Sequence, residues 1–317
     1  MTFLTNSDAL AELASHLDDD EVSRSSYWQA ESNTFEVTKN GNLSGTTVLG
    51  TMADNSSRIP VIAHFFWRLP FLVMGLPFGT KFWRYLKMGK KIAHSQGRIF
   101  TQDMLRQVFS VSLVHSRLAN EKMGGANLVI GDGYGVVSSL FMTISPGVKT
   151  ISVNLNKSLL LDAAYIAKSF PKKNIALTRN VTELVEAYDD PSISAIIVQA
   201  DNAKILASVP IAIAVNIVSM QEMDPPIIDE YFRILRQNPA NKTAFYCCNK
   251  LMKKLYDGTV IRFSEYPWRA EDEILHDQLC PWSQWFYSRN LPFWHYRFGK
   301  NRKIWHRLAL LHKTAPS

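Results

Sequence analysis

The chain has 317 residues, enough for one large domain or for a domain with an added lobe. Its apolar share of 46% and charged share of 20% are those of an ordinary globular protein. A net charge of +7 suits anionic partners such as phosphorylated sugars, acidic glycans or a membrane surface, or is simply a solvated basic face. No helix-turn-helix or RNA-binding signature accompanies the charge, which argues against nucleic acid.

In chain order, Met1 to Asp20 lacks a basic n-region and ends in acidic residues, unlike a secretory signal. Ser7 is placed to cap a helix from Asp8 to Leu17, and residues 32–57 read as loop or irregular hairpin. Ile59 to Leu86 is rich in Phe, Trp, Leu and Ile, but Arg68, Pro70, Pro77, Lys81 and Arg84 interrupt it before the ~20 apolar residues that a span requires. Packing of an N-terminal lobe and a surface-lying amphipathic element, with Trp67, Phe82 and Trp83 beside basic residues, both fit this segment. From Thr101, Met104, Val108, Val111 and Leu118 recur at helical spacing, with His115 on the same face.

The apolar run to Ile130 then ends in Gly131-Asp132-Gly133-Tyr134-Gly135, and a second apolar run follows. This is the layout of a buried strand, a tight turn and a helix from Tyr134 to about Ile144, with bare backbone for a ligand to approach. Val136 stands where the dinucleotide pattern G-x-G-x-x-G needs its last glycine, so the spacing suits a nucleoside without a pyrophosphate. Strands are expected at 148–155, 175–177, 194–199, 211–217, 243–248 and 260–263. Helices are expected at 157–170 and 181–188 and after the Asp224 cap with its following Pro225. Repeated β-α units with continuous apolar strands predict a mostly parallel sheet covered by helices on both faces. Ligands of such sheets sit outside the carboxyl ends of the strands.

Four loops meet there: Gly131–Gly135, Asn154–Asn156, Ala200-Asp201-Asn202 and Asn216–Met223. Asn154 holds the place where nucleoside-binding folds carry an acid for the ribose hydroxyls. Asp201 and Asn202 are placed either for an adenine edge or as a helix cap. Glu222, among Met220 and Met223, is a candidate general base or a structural carboxylate. His276 is a second candidate base. Tyr266, Trp268 and Trp282 lie in segments dense in aromatic and polar groups, as in sugar sites or in packed cores. Cys247, Cys248 and Cys280 have no C-x-x-C spacing, so neither zinc nor a disulfide framework is indicated. A reducing, cytoplasmic setting is the simplest expectation.

On Ile130–Gly135, Asn216-Ile217-Val218-Ser219-Met220-Gln221-Glu222-Met223, Asn249, Glu265-Tyr266-Pro267-Trp268, Cys280-Pro281-Trp282 and His306-Arg307-Leu308-Ala309, the chain resembles the bacterial sugar O-methyltransferases. These are a branch of the class I S-adenosylmethionine-dependent methyltransferases. The resemblance runs from about Thr101 to His312, with Ser26-Tyr27-Trp28 a weaker match. It implies a Rossmann-like methyltransferase domain over 101–317, with 1–100 a mainly helical or irregular lobe that covers substrate. It further implies methyl transfer to a sugar hydroxyl in surface polysaccharide or glycolipid synthesis, with no metal required. The acceptor would be free, nucleotide-linked or lipid-linked, the setting the cytoplasm or the inner face of the membrane, and a homo-oligomer stays open. Gly131, Asp132, Gly133, Tyr134, Gly135, Asn154, Asp201, Asn202 and Asn216 would contact S-adenosylmethionine. Gln221, Asn249, Tyr266, Trp268 and Trp282 would contact the acceptor, with Glu222 or His276 as base. Two positions depart from the family pattern. Val129 stands two residues before the first glycine where an acid is usual, and Asn154 replaces the ribose-binding acid. Each would weaken cofactor binding by about 1–3 kcal/mol. The alternative is a degenerate methyltransferase fold acting as a non-catalytic binding or scaffold subunit.

Overall fold

A computed structural model of the protein describes residues 6–17, 21–38, 43–45, 61–287 and 293–314. The chain opens with α1 (Asn6–Ser15), α2 (Ser26–Glu31) and a hairpin of β1 (Phe35–Val37) and β2 (Leu43–Gly45). The rest of the expected 32–57 loop, and the acidic run at 18–20, lie outside the described residues. The helices α3 (Val61–Leu72), α4 (Gly79–Ser95) and α5 (Gln102–Arg117) follow, with a 3-10 stretch over Val73–Phe78 between the first two. Thr101 caps α5 by accepting from the Met104 N–H.

The alternating part then runs β3 (Ala126–Ile130), α6 (Val136–Ile144), β4 (Thr150–Asn154), α7 (Asn156–Ser169), β5 (Asn174–Thr178), α8 (Val181–Asp189), β6 (Ile193–Gln199) and β7 (Ile211–Ile217). Next come α9 (Pro225–Gln237), β8 (Ala244–Lys250), β9 (Met252–Lys254), β10 (Val260–Arg262) and β11 (Glu273–Leu279). The chain ends with α10 (Pro281–Gln284), β12 (Trp285–Tyr287), β13 (Trp294–Tyr296) and β14 (Ile304–Leu310).

Eight strands form one sheet in the order β5-β6-β4-β3-β7-β8-β14-β11. The first six are mutually parallel, and β14 runs antiparallel to both β8 and β11. This is the Rossmann-like arrangement, with β3 and β4 central and the strand order reversing across β3. The central strands bury both faces, and most of their residues are apolar: Ala126, Leu128 and Ile130 of β3 face one core, and Val129 faces the other. The first core is covered by α4, α5, α6 and α7. The second is covered by α8, α9 and a 3-10 stretch over Ala200–Ser208. Phe71, Phe82 and Tyr85, all before residue 101, share the first core with α5–α7, so the helical N-terminal region packs directly on the sheet's cover.

Two features differ from the sequence reading, and the order of strands in the sheet is additional to it. Helix α6 starts at Val136 instead of Tyr134, because Gly135 takes a left-handed φ of 59° that ends the turn. A Cβ on Gly135 would meet the Asp162 carbonyl and Ile166, so only glycine lets α6 start this close to α7. Strands β11 and β14 were not expected; β11 mixes charged, polar and apolar residues at an exposed edge, and its partner is β14. Strand β5 sits at the far edge, with β6 inserted between it and β4.

Candidate active site

The glycine turn is built around two carboxylates. Asp132 accepts from the Val137 N–H at 3.0 Å and the Ser138 N–H at 2.7 Å, so it caps the N-terminus of α6 from within. Asp162, fully buried on α7, accepts from the Gly135 N–H at 2.9 Å and from the Asn154 amide at 2.9 Å. Burial pushes both carboxyls up, Asp162 far more, and the neighbouring Asp132 adds to its rise. Val129 pairs in register with Ser152, whose hydroxyl lies beside Asp162. Helix α7 thus places a carboxylate beneath the glycine turn. A lone Asp in the apolar run Leu159-Leu160-Leu161-Asp162-Ala163-Ala164 was the available signal for it.

Gly131 and Gly133 take positive φ of 72° and 83°. A side chain at Gly131 would overlap Ser219, which faces it across the crevice from the loop after β7. Val218, just before, is a non-glycine residue at φ 61°, a costly state for a β-branched side chain. Its N–H is tied to the Cys248 carbonyl at 2.8 Å.

That loop is braced by three buried amides. Asn216 donates to the Ile130 carbonyl at 2.9 Å and accepts from the Met220 N–H and from Asn249. Asn249 accepts from the Gln221 N–H, and Gln221 accepts from the Lys250 N–H at 2.8 Å. The sequence-derived residues Asn216, Gln221 and Asn249 are thus brought together, with their amides used inside the loop. Glu222 beside them pairs with Lys253 at 2.5 Å. Burial raises the Glu222 carboxyl, and Lys253 opposes the rise.

Over these loops lies the segment 21–31, which the sequence reading did not place. The Glu21 carboxylate accepts from the Asn156 N–H at 2.7 Å, where α7 begins, and from Arg24 at 3.0 Å. The N–H groups of Val22 and Ser23 donate to the two carboxylate oxygens of Asp201, at 2.9 and 2.8 Å. The Ser25 hydroxyl donates to the Glu222 carbonyl. Tyr27 stacks on Tyr256 and covers the Lys253 ammonium, 3.5 Å from its ring centre. Asn202 donates to Gln199, and Gln199 donates to the Asn156 amide. Asn154 uses both ends of its side chain locally, on Asp162 and on the Leu155 N–H.

The remaining sequence-derived residues lie elsewhere. Tyr134 packs edge-on to Tyr165 with Arg98 over its ring. Tyr266 and Trp268 belong to an aromatic cluster with Phe232, Phe245 and Phe263 in the second core. Trp282 stacks on Phe109 under α5. His276 sits on β11, bonded at 2.8 Å to His306, which in turn bonds Tyr246. Burial first, then His306 and Arg117, pulls its imidazole down to about 4. Among the described residues no group of three or more His, Cys, Asp or Glu is arranged to hold a metal.

No family model matches the chain, and no curated protein matches it. Among solved structures it is similar to a phosphoethanolamine N-methyltransferase of Haemonchus contortus crystallised with S-adenosylhomocysteine, at 10% identity and a TM-score of 0.38. That match covers 65% of this chain and 52% of the other, so the chain spans about half the length of that enzyme. It is also similar to the magnesium protoporphyrin IX methyltransferase of Synechocystis, at 12% identity, 65% and 82% coverage and a TM-score of 0.37. A third is the pyocyanin biosynthetic protein PhzM, at 11% identity, 88% and 80% coverage and a TM-score of 0.36.

Proposed function

We propose that the protein is an S-adenosylmethionine-dependent O-methyltransferase acting on a sugar hydroxyl, free, nucleotide-linked or lipid-linked. The observation that carries this reading is the pair of carboxylates, half-buried Asp132 and fully buried Asp162, at the glycine turn outside the carboxyl ends of β3 and β4. A turn of this kind usually offers a helix N-terminus to a phosphate. Here Asp132 already satisfies those amides, and its charge opposes a pyrophosphate. The same charge suits a ligand that carries a sulfonium and an ammonium group. The donor set therefore fits S-adenosylmethionine and disfavours a dinucleotide. Bound there, this cofactor would supply an electrophilic methyl group.

The chain's own residues divide the remaining work. Gly131, Gly133 and Gly135, with Asp132 and Asp162 behind them, would hold the amino-acid end. Glu21, at the start of α7, would accept from the ribose hydroxyls in place of Asn154. Asp201 and Asn202 stand at the adenine end. Asn216, Gln221 and Asn249 hold the loop that presents Glu222, whose carboxylate would take the proton from the acceptor hydroxyl. Lys253 opposes the rise that burial imposes on that carboxyl.

A second reading has its own support. The segment 21–31 already satisfies both Asp201 oxygens and the Asn156 N–H, as in a non-catalytic subunit whose crevice stays closed.

Isothermal titration decides between them. The enzyme reading expects S-adenosylhomocysteine to bind and a nicotinamide dinucleotide not to. No heat with S-adenosylhomocysteine at millimolar concentration would overturn it in favour of the scaffold. With binding in hand, Glu222→Gln is expected to suppress methylation while leaving that affinity nearly intact. The wild-type rate should fall as pH drops through a Glu222 pKa lying above the usual glutamate value, because the base must be unprotonated. Equal turnover by the variant removes Glu222 from the reaction.

A further inference from the structure

The stretch from α3 through α4 combines two properties that elsewhere in the chain are separate. Six of the fourteen large hydrophobic side chains exposed among the described residues fall within it: Phe65, Phe66, Leu69, Val73, Leu76 and Trp83. Between residues 61 and 102 there are seven Lys and Arg and no Asp or Glu. Two of these, Arg68 and Arg98, are buried, whereas Lys81, Arg84, Lys87, Lys90 and Lys91 are exposed. Helix α4 is strongly two-sided: Phe82, Tyr85, Leu86, Gly89, Ile92 and Ala93 enter the core, and the basic residues stand on the other side.

The apolar and basic parts are neighbours in space. The 3-10 stretch over Val73–Phe78 packs on both α3 and α4. A Cβ on Gly75 would overlap the Phe82 ring, so Val73 and Leu76 lie directly beside the first turn of α4, where Trp83 is exposed. Proline at 70 and 77 breaks the apolar run, and among the described residues no helix is long and apolar enough to cross a membrane.

We infer that this face docks on the surface of an anionic lipid bilayer, with Phe66, Val73, Leu76 and Trp83 at the acyl boundary and Lys81, Arg84, Lys87, Lys90 and Lys91 against the headgroups. The charge pattern selects this occupant. A protein partner or a second copy of the chain would meet a face with no acid to pair its own bases. Nucleic acid would gain nothing from the three exposed aliphatic side chains, Leu69, Val73 and Leu76, beside the lysines. Apolar side chains that enter the interface, ringed by Lys and Arg, are how interfacial proteins hold an anionic leaflet. The inference stands apart from the proposed chemistry, since none of these residues is in the crevice.

The test is co-sedimentation of the full chain with phosphatidylcholine vesicles carrying about one third phosphatidylglycerol, at roughly 0.1 M salt. The wild type is expected to bind them, to bind pure phosphatidylcholine far less, and to come off as salt is raised to about 1 M, where screening is nearly complete. The triple variant Lys87→Gln, Lys90→Gln, Lys91→Gln should lose roughly 100-fold in affinity. The variant Phe66→Ser, Val73→Ser, Leu76→Ser should lose at least about 10-fold. Both should melt as the wild type does, since all six side chains are exposed; if either melts early, the wild-type salt and lipid dependence decides alone. Absence of wild-type binding to anionic vesicles overturns the inference, as does equal binding to both lipids. A dimer in light scattering that the serine variant abolishes, without vesicle binding, would assign the patch to self-association instead.

Discussion

Glu21 shows how a single side chain can restore what a strand end lacks. The residue that closes β4 is an amide whose two ends are committed to Asp162 and to the backbone. Two residues on, the helix N-terminus receives a carboxylate carried in from the N-terminal segment, with its side chain only 5% exposed. Burial raises this carboxyl, and the Asn156 N–H and Arg24 oppose the rise. If Glu21 holds ribose hydroxyls, Glu21→Gln should weaken S-adenosylhomocysteine by about 10- to 100-fold, the range for hydrogen bonds to a charged group. Discrimination against the 2′-deoxy analogue should shrink at the same time. A tighter complex would instead mean that the segment competes with the nucleoside. Asp162 differs from Glu21 in how far it could be foreseen. A carboxylate inside an apolar helical stripe must find partners and so announces a built site. Glu21 looked like the end of a solvated acidic run, and nothing local ties it to Asn156, 135 residues later.

Among the elements, α9 depends on one buried ion pair. Arg236 reaches Asp272 with two hydrogen bonds, at 2.7 and 2.9 Å, and also bonds the carbonyls of Pro267 and His312. Asp272 also accepts from the N–H groups of Arg269 and His312. The pair thus clamps α9 to the loop before β11 and to the chain leaving β14. Arg236→Ala leaves Asp272 buried without its partner and should cost about 3–5 kcal/mol, read from the denaturation midpoint. Substitution of both residues by apolar ones of similar volume should cost much less. This clamp explains which elements could be read in advance. The parallel strands β3, β6 and β7 are mostly apolar runs, and β4 alternates Thr, Ile, Ser and Val, with turn residues between them, so their type and order of appearance were legible. Strands β11 and β14 are polar and mixed, and they are strands because the pairing of β14 to β8 and of β11 to β14 satisfies their backbone. Tyr266, Trp268 and Trp282, which the structure packs in the two cores, were undecided in the sequence for the same reason. Aromatic and polar density fits a sugar site and a packed core equally, and the contacts that decide are tertiary.

The molecule as a whole should be sensitive to mild acid. Burial, joined by Lys81 and Arg84, pulls His115 down to about 4, and His276 falls to about 4 as well. Both lie below the value near 6.5 of an unfolded chain, so the unfolded state binds the protons first. Stability from these groups is complete above about pH 6.5 and is lost progressively as pH falls toward 4. Asp272 acts in the same direction at lower pH: burial raises it, but Arg236 and two backbone amides outweigh that and hold it below the usual range. Its contribution therefore persists to lower pH and disappears last. Melting curves should show a falling transition temperature between pH 7 and 4, and His115→Asn should flatten that slope. Equal slopes in wild type and variant would remove His115 from the account. The segment 21–31 has a further consequence for how the protein is made. Its anchors at Asn156 and Glu222 are synthesised 135 and 197 residues after it. At ordinary ribosome speeds of roughly 5–20 residues per second it waits on the order of 10 seconds for them. The segment must therefore stay unanchored on the nascent chain until the loops that it covers have been made.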